Sequence, residues 1–102
     1  MGMCIALRTE TGKDLEFIPD DKNLLHGLLP QPYTDSDSML GWIDWYGNTI
    51  FNRVQMKRFL EEWGHLAQRA ETPEQKGLLA SVRKLAVRCQ DELHAYLWFI
   101  GD

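Results

Sequence analysis

The residue types in this chain that could carry nucleophilic or acid–base chemistry are two cysteines and three histidines. They are Cys4, Cys89, His26, His65 and His94. A cysteine beside a histidine can form a thiolate–imidazole pair, which is a strong nucleophile. No histidine stands at metal-ligand spacing from another ligand on one predicted helix, and no phosphate-binding or nucleophile-elbow motif is present. The sequence therefore assigns no catalytic residue, metal or cofactor, and we interpret both cysteines as buried and reduced.

A second candidate for chemistry is the 30–40 loop, which is rich in proline, serine and aspartate. This composition predicts a surface loop, and long loops commonly carry binding residues. Asp35 and Asp37 have the D-x-D form of some metal and phosphosugar sites, although such short runs are more often turn residues. An enzyme or small-ligand-binding domain that uses this loop with His65 or His94 is our alternative hypothesis for function.

The aromatic sequence WIDWY follows this loop. Its alternation predicts a strand on which Trp42, Asp44 and Tyr46 share one face. Tryptophan and tyrosine around a carboxylate are residue types that anchor protein interfaces. We therefore predict a partner-binding site at these three residues, with Asp35 and Asp37 as its acidic rim. The alternative is that both faces of this strand belong to the core.

The elements that would position this site are a hairpin and a helix. The Gly-Asn pair at 47–48 is a two-residue hairpin signal, with 49–51 as the return strand. Asn52 then predicts a helix N-cap, because Gln55 three residues later completes a capping box. The spacing of apolar residues predicts that this helix continues to about Arg69.

A second helix is predicted from Pro73 to about Asp91, because Thr72 is a good N-cap and proline favours the first helical position. The short break between the two helices predicts an antiparallel helical hairpin. On the first helix, Lys57 and Glu61 are an i, i+4 pair, as are Arg58 and Glu62, and both run from base to acid, so each should contribute little.

Strands are predicted near both ends of the chain. Residues 3–9 alternate in hydropathy, and 15–18 follow after a turn, so the two should form a hairpin. Asp20 or Asp21 would cap a short leucine-rich helix after this hairpin. Residues 93–100 are apolar on both faces, which is typical of a central strand.

Together these elements predict an α+β fold in a single compact domain, 1–102. We expect a mainly antiparallel sheet of four to five strands, with a helical hairpin and one short helix packed on it. The last strand should lie beside the first. A chain of 102 residues is long enough to build a core without disulfides or a metal.

The formal net charge of −4 argues against a non-specific nucleic-acid binder, which needs cations to neutralise phosphates. The charge is also uneven along the chain, since residues 1–51 include eight acidic residues and only three basic ones. Such an acidic surface suits a basic partner, although a solubilising surface is the simpler interpretation.

The chain shows no signal peptide and no apolar run of about 20 residues, so we expect a cytoplasmic protein that does not contact membranes. Our main hypothesis is a small protein-binding domain. One form of it is a bacterial immunity- or inhibitor-type protein that masks a basic site on its partner, an analogy of size and charge that no motif supports. The alternative partner is a second copy of the chain, because an exposed aromatic face of the sheet would suit a homodimer equally.

Overall fold

The computed structural model describes residues 2–30 and 38–101. They form four strands and two helices. The elements are β1 Cys4–Thr9, β2 Asp14–Pro19, β3 Asn48–Phe51, α1 Met56–Gln68, α2 Pro73–Asp91 and β4 Ala95–Ile100. The strands make one antiparallel sheet in the order β2-β1-β4-β3, and the helices pack together on one face of it. The predicted α+β class, with a helical hairpin on a four-stranded sheet, is confirmed.

The strand β4 is central, as the sequence predicts, and lies between β1 and β3. It starts two residues later than expected, because His94 has a positive φ of 63° that belongs to the preceding turn. Its two faces differ, since one is buried beneath the helices and the other is only half-buried. The buried set is Ala95, Leu97 and Phe99, and the half-buried set is Tyr96, Trp98 and Ile100.

Both predicted helix caps are confirmed. The Asn52 side-chain oxygen accepts a hydrogen bond from the Gln55 backbone N–H at 3.0 Å, and the Gln55 side chain accepts one from the Asn52 N–H at 2.8 Å. Thr72 and Gln75 form the same reciprocal pair before α2. Each pair satisfies backbone donors that have no partner within the helix. The first turn after Asn52 is a 3₁₀ turn, and α1 follows it.

An aromatic cluster joins the helical hairpin to the sheet. Phe59 and Trp63 of α1 stack with ring centroids 5.2 Å apart, and Phe99 of β4 lies 5.9 and 6.0 Å from them. The indole Nε1 of Trp63 donates a hydrogen bond to the Leu79 carbonyl of α2 at 3.0 Å. One buried side chain therefore contacts both helices and the central strand.

The hairpin predicted near the amino terminus is confirmed as β1 and β2. The short helix after it is a single 3₁₀ turn, Leu24–Gly27. Its N-cap residue is Asn23 and not one of the two aspartates, but Asp20 binds the first backbone N–H groups of the turn. The Asp20 carboxylate accepts hydrogen bonds at 2.8 Å from the backbone N–H groups of Leu24 and Leu25, which accounts for a buried acid in this position.

The predicted strand at residues 42–46 is wrong. Leu40–Trp42 is a 3₁₀ turn, and β3 pairs with β4 instead of with the aromatic segment. The reason lies in side-chain hydrogen bonds. The Asp44 N–H donates to the Thr49 hydroxyl at 2.8 Å, and the Asp44 carboxylate accepts from the Tyr46 N–H at 2.9 Å. These bonds give the backbone a compact alternative to a strand ladder.

Candidate partner-binding surface

Trp42 and Tyr46, two of the predicted partner-binding residues, are exposed to solvent. Trp42 is 53% accessible and Tyr46 is 79% accessible. Between them, Ile43 is fully buried and Trp45 packs half-buried against the core. Trp42 and Tyr46 are therefore more exposed than Ile43 and Trp45, although the backbone is not a strand. We call the segment 38–47, which carries these side chains, the aromatic turn.

Asp44, the third predicted residue, shapes this turn. Its carboxylate accepts the Tyr46 N–H, and a Cβ added at Gly47 would lie 2.6 Å from one carboxylate oxygen. A side chain at position 47 would therefore displace the Asp44 carboxylate. The two rim residues, Asp35 and Asp37, lie outside the described residues, so the acidic rim stays a prediction.

Glu62 of α1 holds the start of the aromatic turn. Its carboxylate accepts hydrogen bonds from the Ser38 hydroxyl at 2.9 Å and from the Met39 and Leu40 N–H groups at 3.0 and 3.1 Å. Arg58 donates a further bond at 3.2 Å. The sequence indicates only this last, local pair, because nothing in it connects residues more than twenty positions apart. Glu62 is therefore a positioning residue that sequence reasoning missed.

The environment of Glu62 lowers its pKa. Burial alone would favour the protonated acid, but the hydrogen bonds from Met39, Leu40, Ser38 and Arg58 outweigh it and hold the pKa of Glu62 below its ordinary value of 4.5. The side chain is 19% exposed, so its carboxylate is shielded from water on most sides. At neutral pH the Glu62 carboxylate is therefore ionised and accepts these hydrogen bonds.

The carboxyl-terminal end of the described chain holds the other end of the aromatic turn. The Gly101 N–H donates a hydrogen bond to the Gly47 carbonyl at 2.7 Å. A Cβ added at Gly101 would lie 2.5 Å from the Trp45 carbonyl oxygen, so the two backbones touch here because glycine has no side chain. The aromatic turn is thus fixed to α1 at its start and to the end of β4 at its finish.

The face of the sheet opposite the helices is a second exposed surface, and we call it the open face. Cross-strand partners share a face, so the register places one outward residue set on all four strands. The set includes Cys4, Ala6, Arg8, Phe17, Ile50, Tyr96, Trp98 and Ile100. Phe17 is 51% accessible and Ile50 is 48% accessible. The sequence predicts that β4 is apolar on both faces, but not which of them the helices cover.

One ion pair lies on the open face. The Arg8 guanidinium pairs with the Asp14 carboxylate and lies 4.8 Å from the ring centroid of Trp98, in a cation–π contact. Ala6 is fully buried although it is on this face, and its register partners Phe17 and Trp98 stand on either side of it. Two aromatic residues therefore flank Ala6 at the centre of the open face.

The two histidines of the alternative hypothesis occupy separate settings. His65 lines a groove of about 400 Å³ beside α1, together with Pro30, Ser38 and Leu40, so the structure places it next to the described ends of the 30–40 loop. His94 lies in the turn before β4, where its Nδ1 is 3.1 Å from Glu10. Among the described residues, no three histidine, cysteine or acidic side chains are arranged to hold a metal ion.

Cys89 is not placed to act as the nucleophile that its type allows. Cys89 is fully buried in α2, and its Sγ donates to the Ala95 carbonyl at 3.6 Å. Burial raises the pKa of the Cys89 thiol to about 11, so it is protonated at neutral pH. Cys4 is half-buried on β1, with Pro19 and Ile100 as its register partners.

No protein-family model, curated protein or solved structure matches this chain. Within the ranges 2–30 and 38–101, neither helix has the length and apolar character required to cross a membrane. Function must therefore be argued from the surfaces themselves.

Proposed function

We propose that this chain is a protein-binding domain and that Trp42 and Tyr46 anchor its partner. The observation that carries the proposal is the exposure of two large aromatic side chains, 53% and 79%, on a turn that is fixed at both ends. Tryptophan and tyrosine dominate the binding energy of many protein interfaces, because each buries a large area with few rotatable bonds.

The fixed backbone of the aromatic turn supports a binding role. Association costs free energy when loops and side chains must be ordered at an interface. Here the backbone is already ordered in the folded protein, because Glu62 binds the N–H groups of Met39 and Leu40 and the Gly101 N–H binds the Gly47 carbonyl. Binding therefore requires little further loss of backbone entropy. A partner therefore meets the two rings on a preformed support.

The charge of the chain favours a basic partner. Residues 1–51 contain eight acidic residues and only three basic ones, and this part of the chain includes the aromatic turn. Acidic groups around aromatic anchors would attract a site rich in lysine and arginine and speed its association. In its most specific form, the proposal is an inhibitor or immunity-type protein in the cytoplasm that covers a basic functional site on that partner.

Binding accounts for these features better than catalysis does. His65 lies beside the described ends of the 30–40 loop, as the catalytic alternative requires, but the Cys89 thiol is buried in α2 and protonated. The carboxylate of Glu62 is engaged by the backbone of the aromatic turn, so it is not available as a general base.

Affinity capture from an extract of the source organism tests the proposal. The bait is the wild-type chain, compared with the double variant Trp42→Ala/Tyr46→Ala and with a control, Val54→Ala/Leu93→Ala, which removes two equally exposed apolar side chains elsewhere. We expect a basic protein that wild type and the control retain and the aromatic variant loses, with retention falling as salt rises. Equal retention by all three baits would contradict the proposal.

A further inference from the structure

We propose that the outer edge of β2, together with the adjoining part of α2, is a docking site for a short acidic segment of a partner protein, which binds in extended form as an added strand of the sheet. The strand β2 ends the order β2-β1-β4-β3, so no other described strand pairs with its outer edge. Extended peptides commonly bind proteins by adding a strand to such an edge. The site does not include the aromatic turn, so this inference is independent of the proposed function.

The register of β1 and β2 shows which backbone groups of this edge are unpaired. The Asp20 N–H donates to the Met3 carbonyl at 3.0 Å, so these two residues form a hydrogen-bonded pair. Hydrogen-bonded and non-hydrogen-bonded pairs alternate along antiparallel strands. Ile18 therefore bonds to β1, whereas Pro19 and Phe17 do not, and a proline fits such a position because it has no N–H. The N–H and C=O groups of Phe17 point away from β1, at the outer edge of the sheet.

A groove of about 300 Å³ follows this edge. It is lined by Glu16, Phe17 and Ile18 of β2 and by Ser81, Lys84 and Leu85 of α2. Consecutive residues of a strand point to opposite faces, so a groove lined by three in a row runs along the edge of the strand. Ile18 is half-buried and Leu85 is buried, and they supply an apolar contact next to the unpaired backbone groups. An extended chain matches both features of this groove.

The charge of the groove favours an acidic segment. Glu16 is already paired with Arg88 of α2, with 3.4 Å between the carboxylate oxygen and the guanidinium nitrogen. Lys84 is exposed and forms no ion pair within residues 2–30 and 38–101. Of the two charged side chains that line the groove, the one available to a partner is therefore positive. A carboxylate on the bound segment pairs with Lys84, whereas a basic segment is repelled by it.

The acids at the two ends of β2 do not reverse this preference. Asp14 pairs with Arg8 on the open face. The Asp20 carboxylate is buried and accepts two backbone N–H groups of the following 3₁₀ turn. Asp21 and Lys22, which come next, have opposite charges. Lys84 is therefore the charge that selects the segment.

Two features limit the length of the added strand. The register shifts between Leu7 and Arg8, which leaves Leu15 without a partner on β1, and Pro19 ends the strand. Bulges and prolines on an edge discourage long pairing. The regular edge is residues 16–19, so the bound segment spans about four residues. We therefore expect weak binding, with a dissociation constant of about 1 mM for a peptide alone.

An NMR titration of the full chain with the acetylated and amidated hexapeptide Glu-Val-Glu-Val-Glu-Val tests the site. With a valine opposite Phe17, the valines pair with β2 through their backbone groups and the glutamates point into the groove. We expect the amide signals of residues 15–19 and 81–85 to shift, with a dissociation constant of about 1 mM. The analogue with lysine in place of glutamate should bind at least about threefold more weakly. N-methylation of the valines removes their N–H donors and should weaken binding at least about tenfold.

Variants of the protein test the same backbone contact from the other side. Phe17→Pro removes the outward N–H without breaking a bond to β1, and proline is tolerated at such edge positions. Phe17→Val is the matched control, since it loses the ring but keeps the N–H. We expect Phe17→Pro to raise the dissociation constant of the acidic peptide at least about tenfold relative to Phe17→Val. Lys84→Glu should abolish the preference for the acidic peptide over its lysine analogue.

Hydrogen exchange of the wild-type chain does not depend on whether a substituted chain folds. The Phe17 amide should exchange rapidly in the free protein and be slowed by the acidic peptide, whereas the Ile18 amide should be protected in both states. Trp42→Ala/Tyr46→Ala should bind the peptide normally, which separates this inference from the proposed function. A Phe17 amide already protected in the free protein, equal binding of the N-methylated peptide, or no shift at β2 with about 5 mM peptide would overturn the proposal.

Discussion

The carboxylate of Glu62 accepts a hydrogen bond from the backbone N–H of Leu40, 22 positions earlier in the chain, at 3.1 Å. Leu40 opens the 3₁₀ turn that ends at Trp42. Glu62 on α1 therefore binds the first residue of the turn that carries the exposed Trp42 side chain. This long-range contact connects the folded scaffold with the proposed binding site.

Replacing Glu62 by glutamine should destabilise the protein. The variant keeps one side-chain acceptor but loses the charge that strengthens three hydrogen bonds from residues 38–40, so we expect a loss of about 1–3 kcal/mol in the free energy of unfolding. Urea denaturation measures this loss. Glu61→Gln is the matched control, since Glu61 is an exposed neighbour on the same helix and should change stability by less than about 0.5 kcal/mol. If the two substitutions reduce the free energy of unfolding equally, the hydrogen bonds of Glu62 to residues 38–40 do not stabilise the protein.

The stabilising effect of Glu62 should depend on pH. Its pKa in the folded protein is lower than its ordinary value of 4.5, so the folded state binds its proton less readily than the unfolded state does. The contribution is therefore complete above that ordinary value and is lost as pH falls through the lower, folded value. We expect the stability difference between wild type and Glu62→Gln to shrink between neutral and strongly acidic pH. A difference that is constant or grows with acidification would have the wrong sign.

The two cysteines should differ in reactivity. The raised pKa and full burial of Cys89 leave almost no accessible thiolate at pH 8, whereas Cys4 is partly accessible. We expect Ellman's reagent to titrate one thiol rapidly in the native protein and two after denaturation in urea. Substitution of Cys4 by serine should remove the rapid phase. A rapid native reaction at Cys89 would mean that α2 does not bury it.

Two glycines should respond in opposite directions to alanine. A methyl group at Gly101 would press on the Trp45 carbonyl and the Gly47 nitrogen, at 2.5 and 2.7 Å, so we expect Gly101→Ala to destabilise by about 1–3 kcal/mol. Gly77 of α2 has nothing within 4 Å of an added Cβ. Gly77→Ala should stabilise by up to about 1 kcal/mol through its higher helix propensity. Thermal denaturation compares the two variants. Equal shifts of the melting temperature would show that Gly101 does not make the close backbone contact described above.

The elements predicted correctly from the sequence depend on residues that are close together along the chain. The caps at Asn52 and Thr72 need only a partner three residues later, and both form as expected. The central position of β4 follows from apolar residues on both of its faces. In each case the local pattern and the tertiary structure favour the same conformation.

The aromatic turn shows where local patterns fail. Its alternation has the period of a strand, and the exposure of Trp42 and Tyr46 agrees with it. The backbone is instead determined by contacts with Thr49, Glu62 and Gly101, which the alternation does not reveal. The open face was missed for a related reason, because a strand that is apolar on both sides does not indicate which side the helices cover.

The central claim is that Trp42 and Tyr46 serve binding and not folding, and the free energy of unfolding tests it most directly. Urea denaturation of Trp42→Ala/Tyr46→Ala is compared with that of Ile43→Ala, which truncates the fully buried residue between them. We expect the aromatic variant to lose no more than about 1 kcal/mol and Ile43→Ala to lose about 2–5 kcal/mol. If the aromatic variant loses as much as Ile43→Ala, the two rings belong to the core and the proposed binding site is contradicted.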